Sequence, residues 1–408
     1  MFPHTDEFVR EVPKTDLHVH LDGSLRLGTL IELARERKVE LPSWTEDGMR
    51  ETVFKAQYAD LVEYLHGFKY TCAVLQDPES LERVSYELAV DCFEEGVRYV
   101  EVRFAPQLHV HDAFDLRSVV RSVAKGLARA KAEINRAPAI AEGREPRFEC
   151  GIIACAMRMF TAGFSSYYRD FMHVHAFSEP DDAYRLASLE LARAVVAIRT
   201  EEGLPIVGFD LAGPESGYPA GDHVAAYQYV HEHFIDKTVH AGEAYGPESI
   251  FQAITNLHAD RIGHGYHLFS ADRIQDPAIK DREGYVNRLA QYIAERRITI
   301  EVCLTSNLQT MPDLGSVGQH NFRRMLDGRL SVTLCTDNRL VSDTTVSQEV
   351  SLALRNFDIS PRQLRDILVY GFKRSFYPGT YQEKRTYVRQ VIDYYDAVAR
   401  KHGVPNSP

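Results

Sequence analysis

The sequence predicts a (β/α)8 TIM barrel with additional helices between its first and second strands. Three observations carry this reading. Eight short β-rich, mostly apolar runs recur along the chain, amphipathic helical stretches lie between them, and polar residues collect at the C-terminal ends of five of the runs. In a barrel of this kind chemistry gathers at that end of the strands. The 408 residues show no internal repeat, no low-complexity tract and no interdomain linker, so residues 1–408 read as one barrel domain.

The first run, Thr15 to His20, sits in Lys14-Thr15-Asp16-Leu17-His18-Val19-His20-Leu21-Asp22-Gly23. Leu17, Val19 and Leu21 alternate with His18, His20 and Asp22, the period of a strand. Residues i and i+2 of a strand share a side, so His18 and His20 can share one metal ion. The pattern His-x-His occurs at three other places, which weakens it as a signal on its own. His231 and His233 follow a helical stretch, His173 and His175 lack strand alternation, and His109 and His111 lie beyond Ala105-Pro106-Gln107.

About eighty residues separate the first two runs, room for several helices. Leu61, Tyr64, Leu65 and Phe68 fall at i, i+3, i+4 and i+7, the apolar face of a helix that either packs on the core or lies over the site as a lid. The remaining runs centre on Arg98 to Phe104, Phe148 to Cys155, Pro205 to Leu211, Thr238 to His240, Arg261 to His264, Ile298 to Leu304 and Leu330 to Thr336. Helical patterns between them include Asp77 to Glu95, Asp115 to Asn135, Tyr184 to Arg199 and Tyr285 to Arg297. Ala137 to Arg147 reads as a loop at the barrel's stability end, and Thr161 to Asp182 as an aromatic-rich insertion at its catalytic end.

Five run ends carry the chemistry: His18 and His20, Asp210-Leu211-Ala212-Gly213, His240-Ala241-Gly242-Glu243, Gly263-His264-Gly265 and Thr336-Asp337-Asn338. His18, His20, His240 and Asp337 offer three nitrogens and one oxygen, a donor set suited to catalytic zinc. The fourth run ends without a lysine, so a binuclear centre bridged by a carboxylated lysine is disfavoured and one zinc per chain is expected. Glu243 is placed to exchange protons without binding metal, and His264 to orient water or stabilise developing charge.

The net charge is −11, which disfavours nucleic acid and anionic membranes as partners. There is no basic and apolar leader at Met1 to Phe8 and no run long enough to cross a bilayer. The six cysteines are scattered and read as free thiols, so a cytoplasmic enzyme is expected.

The motifs around His18 to Gly23, His240 to Glu243, Arg261 to Gly265 and Cys335 to Asn338 closely resemble those of the adenosine deaminases, in family order, from about Lys14 past Thr345. The resemblance implies a zinc-dependent (β/α)8 aminohydrolase converting adenosine and 2′-deoxyadenosine to inosine and 2′-deoxyinosine, with release of ammonia. It makes His18, His20, His240 and Asp337 the metal ligands, Glu243 the acid that protonates purine N1, and His264 the water-orienting histidine. It implies contacts of Gly213 with N3 of the base, of Asp22 and His20 with the sugar, and a hydrophobic gate around Leu61 to Phe68. Asn338 departs from the second aspartate of many family members, yet its amide is a donor for purine N7 at every pH.

Other members of that resemblance act on adenine, AMP, N6-methyl-AMP or aminodeoxyfutalosine, and these are the rival substrates. A catalytically silent zinc-binding relative is a further alternative, disfavoured because Glu243, His264 and all four ligands are present. The absence of any Cys-x-x-Cys excludes the cytidine-deaminase type of zinc site. A purine nucleoside is the expected partner, and a homodimer stays open.

Overall fold

The computed structural model describes residues 5–311 and 313–405. Eight parallel strands follow one another in sequence order: β1 (Lys14–His20), β2 (Val97–Phe104), β3 (Glu149–Met157), β4 (Ile206–Ala212), β5 (Asp236–Ala241), β6 (Arg261–His264), β7 (Thr299–Val302) and β8 (Ser331–Leu334). Closure between β8 and β1 is made just beyond β8. His20 N–H donates to the Asp337 carbonyl at 2.7 Å, and Asp337 N–H donates to the His18 carbonyl at 2.7 Å. The bonds that close the barrel therefore also place Asp337 beside the two first-strand histidines.

The pairing of β4 with β5 covers only Gly208 with Asp236 and Phe209 with Lys237. Beyond Phe209 the two strands part, and Arg158 spans from the end of β3. Its guanidinium is buried and donates to the carbonyls of Tyr218 and His240, each at 2.6 Å.

Helix ends follow the local chemistry. Asp77 caps Pro78–Glu94, Asp115 caps Leu116–Ile134 and Asp281 caps Arg282–Arg296, each through its carboxylate to a backbone N–H. The predicted helix Tyr184 to Arg199 is longer, Pro180–Glu202, and begins at the end of the aromatic insertion, which holds a further helix, Ser166–Val174. Four helices precede Pro78–Glu94 in the first connection: Leu27–Arg37, Glu46–Thr52, Leu61–Leu65 and Phe68–Val74.

Two expectations need correction. The stretch from Leu61 to Phe68 is not one helix but two short ones that meet at Gly67. A side chain at Gly67 would come within 2.9 Å of the Phe54 ring, so close packing there favours glycine. The strands are also less apolar inside the barrel than mostly apolar runs suggest. Glu101, Arg103, Asp210 and Glu301 are fully buried and Arg261 nearly so. Arg103 pairs with Asp210 at 2.8 Å and Glu301 at 2.9 Å, while Arg261 pairs with Glu301 at 2.7 Å and also with Glu101. Burial of such charges costs several kcal/mol each unless they are paired, and here every one is.

Candidate metal and catalytic site

β1 brings His18 and His20 to the mouth of the barrel. His18 donates from Nδ1 to Glu301 Oε2 at 2.8 Å. His240, at the end of β5, donates from Nδ1 to Asp210, 3.1 Å from Oδ2. Both carboxylates are held ionised. Burial opposes this, but Arg103 and Arg261 keep Glu301, and His240 and Arg103 keep Asp210, well below the usual carboxylate range. A carboxylate on Nδ1 fixes the ring proton there, which leaves a bare lone pair on Nε2.

Those lone pairs converge. His18 Nε2 and His20 Nε2 each lie 3.5 Å from Asp337 Oδ1, and His20 Nε2 lies 3.1 Å from His240 Nε2. His18 Nε2 is buried without a hydrogen-bond partner. Metal–ligand bonds of about 2.1 Å in a tetrahedron place the ligands roughly 3.4 Å apart, so these spacings fit one small cation. Without one, the bare Nε2 of His18 would face the ionised Asp337 carboxylate in a buried space. His18, His240, His264 and Asp337 also offer donor atoms within 4.8 Å of one another. The site thus presents five candidate donors, His20 included, around one point.

Backbone geometry supports a special role for two of these residues. His264 and Asp337 both have φ of 62°, the left-handed region that side chains other than glycine rarely occupy. Gly263 is required by His18, since a methyl group there would stand 2.9 Å from Cε1 of that ring. Asp337 is further held by Ser306, whose hydroxyl donates to Oδ2 at 2.6 Å. Despite its burial, the surrounding imidazoles keep the Asp337 carboxyl well below its usual range.

Glu243 lies next to this cluster, with Oε1 3.7 Å from His264 Nε2. Burial, reinforced by the negative charge of Asp337, raises its pKa to about 8, so it carries a proton at neutral pH. Its loop is fixed by Glu215, which accepts the N–H groups of Gly242, Glu243, Ala244 and Tyr245 at 2.7, 3.0, 2.7 and 2.9 Å.

The remaining expected residues lie around this centre. Asp22 is buried, one of its oxygens has no partner, and burial raises its pKa to about 7. An unmet acceptor of this kind suits a hydroxyl donor. Gly213 follows β4 with φ of 100°, a conformation that calls for glycine. Leu61 and Phe68 are half-buried on the two short helices. Between them Tyr64 is buried and reaches Ser342 at 2.7 Å and Asp337 Oδ2 at 3.5 Å. Asn338 donates its amide to the Tyr64 hydroxyl at 2.9 Å, and its oxygen lies against Gly23, where a side chain would collide with it. The amide expected to face purine N7 is therefore engaged by Tyr64 here.

Sequence reasoning missed Arg103, Glu301, Tyr64, Arg158 and the anchoring role of Glu215. A signal existed for the first two, because a charge inside an apolar strand of a barrel must find a partner in the interior. None of the other His-x-His pairs joins this cluster. His109 and His111, for example, hydrogen-bond the carbonyls of Leu75 and Gln76 at 2.9 Å.

Known proteins resemble this chain over nearly its whole length. A family model described as adenosine deaminase matches residues 13–177 and 181–394. The chain is 35% identical over 393 residues to the adenosine deaminase of Mycolicibacterium vanbaalenii, covering 96% of this chain and 97% of that one. A probable adenosine deaminase of Dictyostelium discoideum is 32% identical over 91% of this chain and 41% of its own. Among solved structures, the adenine deaminase of Arthrobacter aurescens superposes with a TM-score of 0.72 at 21% identity, covering 94% of this chain and 99% of that one. An amidohydrolase of Burkholderia ambifaria with bound Zn gives 0.75 at 19%, covering 99% and 97%. The N6-methyl-AMP deaminase of Arabidopsis thaliana gives 0.72 at 24%, covering 98% and 100%. The structural likenesses speak for the fold.

Proposed function

This chain belongs to the adenosine deaminase family, and from that premise we propose that it hydrolyses adenosine and 2′-deoxyadenosine to inosine and 2′-deoxyinosine with release of ammonia. The observation that carries the reading is the convergence of four donor atoms beside the buried carboxyl group of Glu243. His18, His20, His240 and Asp337 would hold one zinc ion, oriented from behind by Glu301 and Asp210. An ion held there would supply Lewis-acid activation of water as the nucleophile.

The protein's own groups do the rest. As water adds to C6, electrons move onto purine N1, and Glu243 delivers its proton to that atom. The C6–N6 bond then breaks as the hydroxyl proton at C6 passes to N6, so ammonia leaves with one proton from the water, and the water's other proton restores Glu243. His264 orients the water and meets the charge that develops on its oxygen. Asp22 accepts a sugar hydroxyl, with His20 close to the sugar, while Gly213 offers its N–H to N3. Asn338 reaches N7 once its amide exchanges Tyr64 for the base. The segment bearing Leu61 and Phe68 covers the base and excludes water. The six cysteines, free among the described residues, suit a reducing compartment, and we place the enzyme in the cytoplasm.

A spectrophotometric screen of adenosine, 2′-deoxyadenosine, adenine, AMP and N6-methyl-AMP tests the assignment. The nucleosides should give the highest kcat/KM. A preference for free adenine would overturn it, since Asp22 would then have no sugar hydroxyl to bind, and so would a preference for a nucleotide, whose phosphate calls for a basic group at the mouth.

A further inference from the structure

His264 satisfies a distance criterion for metal binding as well as His18 does, yet the structure assigns it a different task. His264 ends β6, and its Nδ1 lies 3.2 Å from Nδ2 of Asn307, on the helix Leu304–Thr310 that follows β7. Oδ1 of Asn307 lies 3.1 Å from Nε2 of His320. At the far end, the backbone N–H of Phe322 donates to Nδ1 of His320 at 2.9 Å. All three side chains are buried.

Protons can be placed along this chain from its fixed end. A backbone N–H can only donate, so Nδ1 of His320 carries no proton and the ring holds its proton on Nε2. That N–H meets Asn307 Oδ1. Turning the amide round would set NH2 against N–H, donor against donor, so the amide has one allowed orientation. Its NH2 then donates to Nδ1 of His264, which leaves the His264 proton on Nε2. This is the nitrogen that faces Glu243 and the converging donors.

We propose that Asn307 and His320 are positioning residues that hold His264 as its Nε2–H tautomer. The ring is thereby kept out of the metal-ligand set and presented to the reacting centre as a hydrogen-bond donor. The fold uses one device with opposite settings. An acceptor on Nδ1, Glu301 or Asp210, makes His18 and His240 ligands. A donor on Nδ1, the Asn307 amide, makes His264 a donor. Five candidate nitrogens and oxygens thus reduce to the four of His18, His20, His240 and Asp337. The tautomer stands on the protein's hydrogen bonds alone, and only its catalytic use rests on the deaminase reading.

The test is nitrogen-15 NMR of the zinc-loaded protein with labelled histidine, His264 being identified by the signals lost in His264→Gln. The expected pattern is an unprotonated Nδ1 and a protonated Nε2. In Asn307→Asp the carboxylate can only accept, so it draws the ring proton onto Nδ1 as an Nδ1–H donor and the pattern should reverse. Its kcat should fall about 100-fold with KM changed less than threefold and one zinc per chain retained. His320→Gln keeps a donor toward Asn307 and should retain at least tenfold more activity than His320→Phe. An unprotonated Nε2 in the parent protein would overturn the proposal, whether or not Asn307→Asp folds. So would unchanged kcat in a folded Asn307→Asp. If adenosine proves not to be a substrate, the NMR pattern still decides the tautomer, and the deaminase reading alone fails.

Discussion

Glu215→Gln tests how firmly the loop of Glu243 is held. Glu215 is buried, and its Oε1 accepts from Gly242 N–H and the Ser249 hydroxyl, while Oε2 accepts from Glu243, Ala244 and Tyr245. Glutamine has the same shape, but one of its terminal atoms is a donor. The cheapest placement puts NH2 in the Oε1 position, because the Ser249 hydroxyl can turn and accept. Gly242 N–H then loses an ionic acceptor, at about 1.5–3 kcal/mol, and is left buried and unmet, at about 1–3 kcal/mol. Relief from burying a charge offsets part of this, and we expect a loss of about 3 kcal/mol. Unfolding entropy near 2.1 cal/mol/K per residue gives about 0.9 kcal/mol per kelvin for a chain of this length, so Tm should fall by about 3 °C. A displaced Glu243 should lower kcat about tenfold or more. Scanning calorimetry and steady-state kinetics read both effects. A Tm within 1 °C of the parent together with unchanged kcat would refute the anchoring role.

Other perturbations separate the remaining groups. Glu243→Gln should keep its metal and lose at least 100-fold in kcat, which metal analysis beside a nucleoside assay measures; full activity would remove Glu243 from the reaction. Arg103→Met strands two buried carboxylates, Asp210 and Glu301, and should cost about 3–5 kcal/mol in urea unfolding. Asp22→Asn should raise KM for adenosine with kcat changed far less, and a change confined to kcat would contradict a sugar contact. Glu349, buried against Thr305 and Thr344, has its pKa raised by burial from 4.5 to about 7. The folded state then binds more protons than the unfolded one between these values, so this group's contribution is greatest below pH 4.5 and is lost as pH rises to about 7. Glu349→Gln should therefore gain stability relative to the parent between pH 5 and 8, as read from urea midpoints.

The barrel was legible because each strand was a short run of strand-forming residues, and the candidate ligands because they cluster where those runs end. The helix between Leu61 and Phe68 was misread because periodicity ignores tertiary crowding, which here puts a break at Gly67 against Phe54. Tyr64 was read only as an apolar position, although its hydroxyl reaches Ser342, Asn338 and Asp337. Glu301 and Arg103 stayed hidden because their partners come from other strands, and only barrel closure brings them together. The protonation of His264 was out of reach for the same reason, since it depends on Asn307 and His320 in separate connections.

The central claim is one metal ion held by four ligands beside a protonated Glu243. Zinc titration of metal-free protein, with adenosine deamination measured at each step, tests it most directly. Metal-free protein should be inactive, and activity should rise linearly and stop at one zinc per chain. Deamination by the metal-free protein, or a rise that continues to two zinc ions per chain, would contradict it.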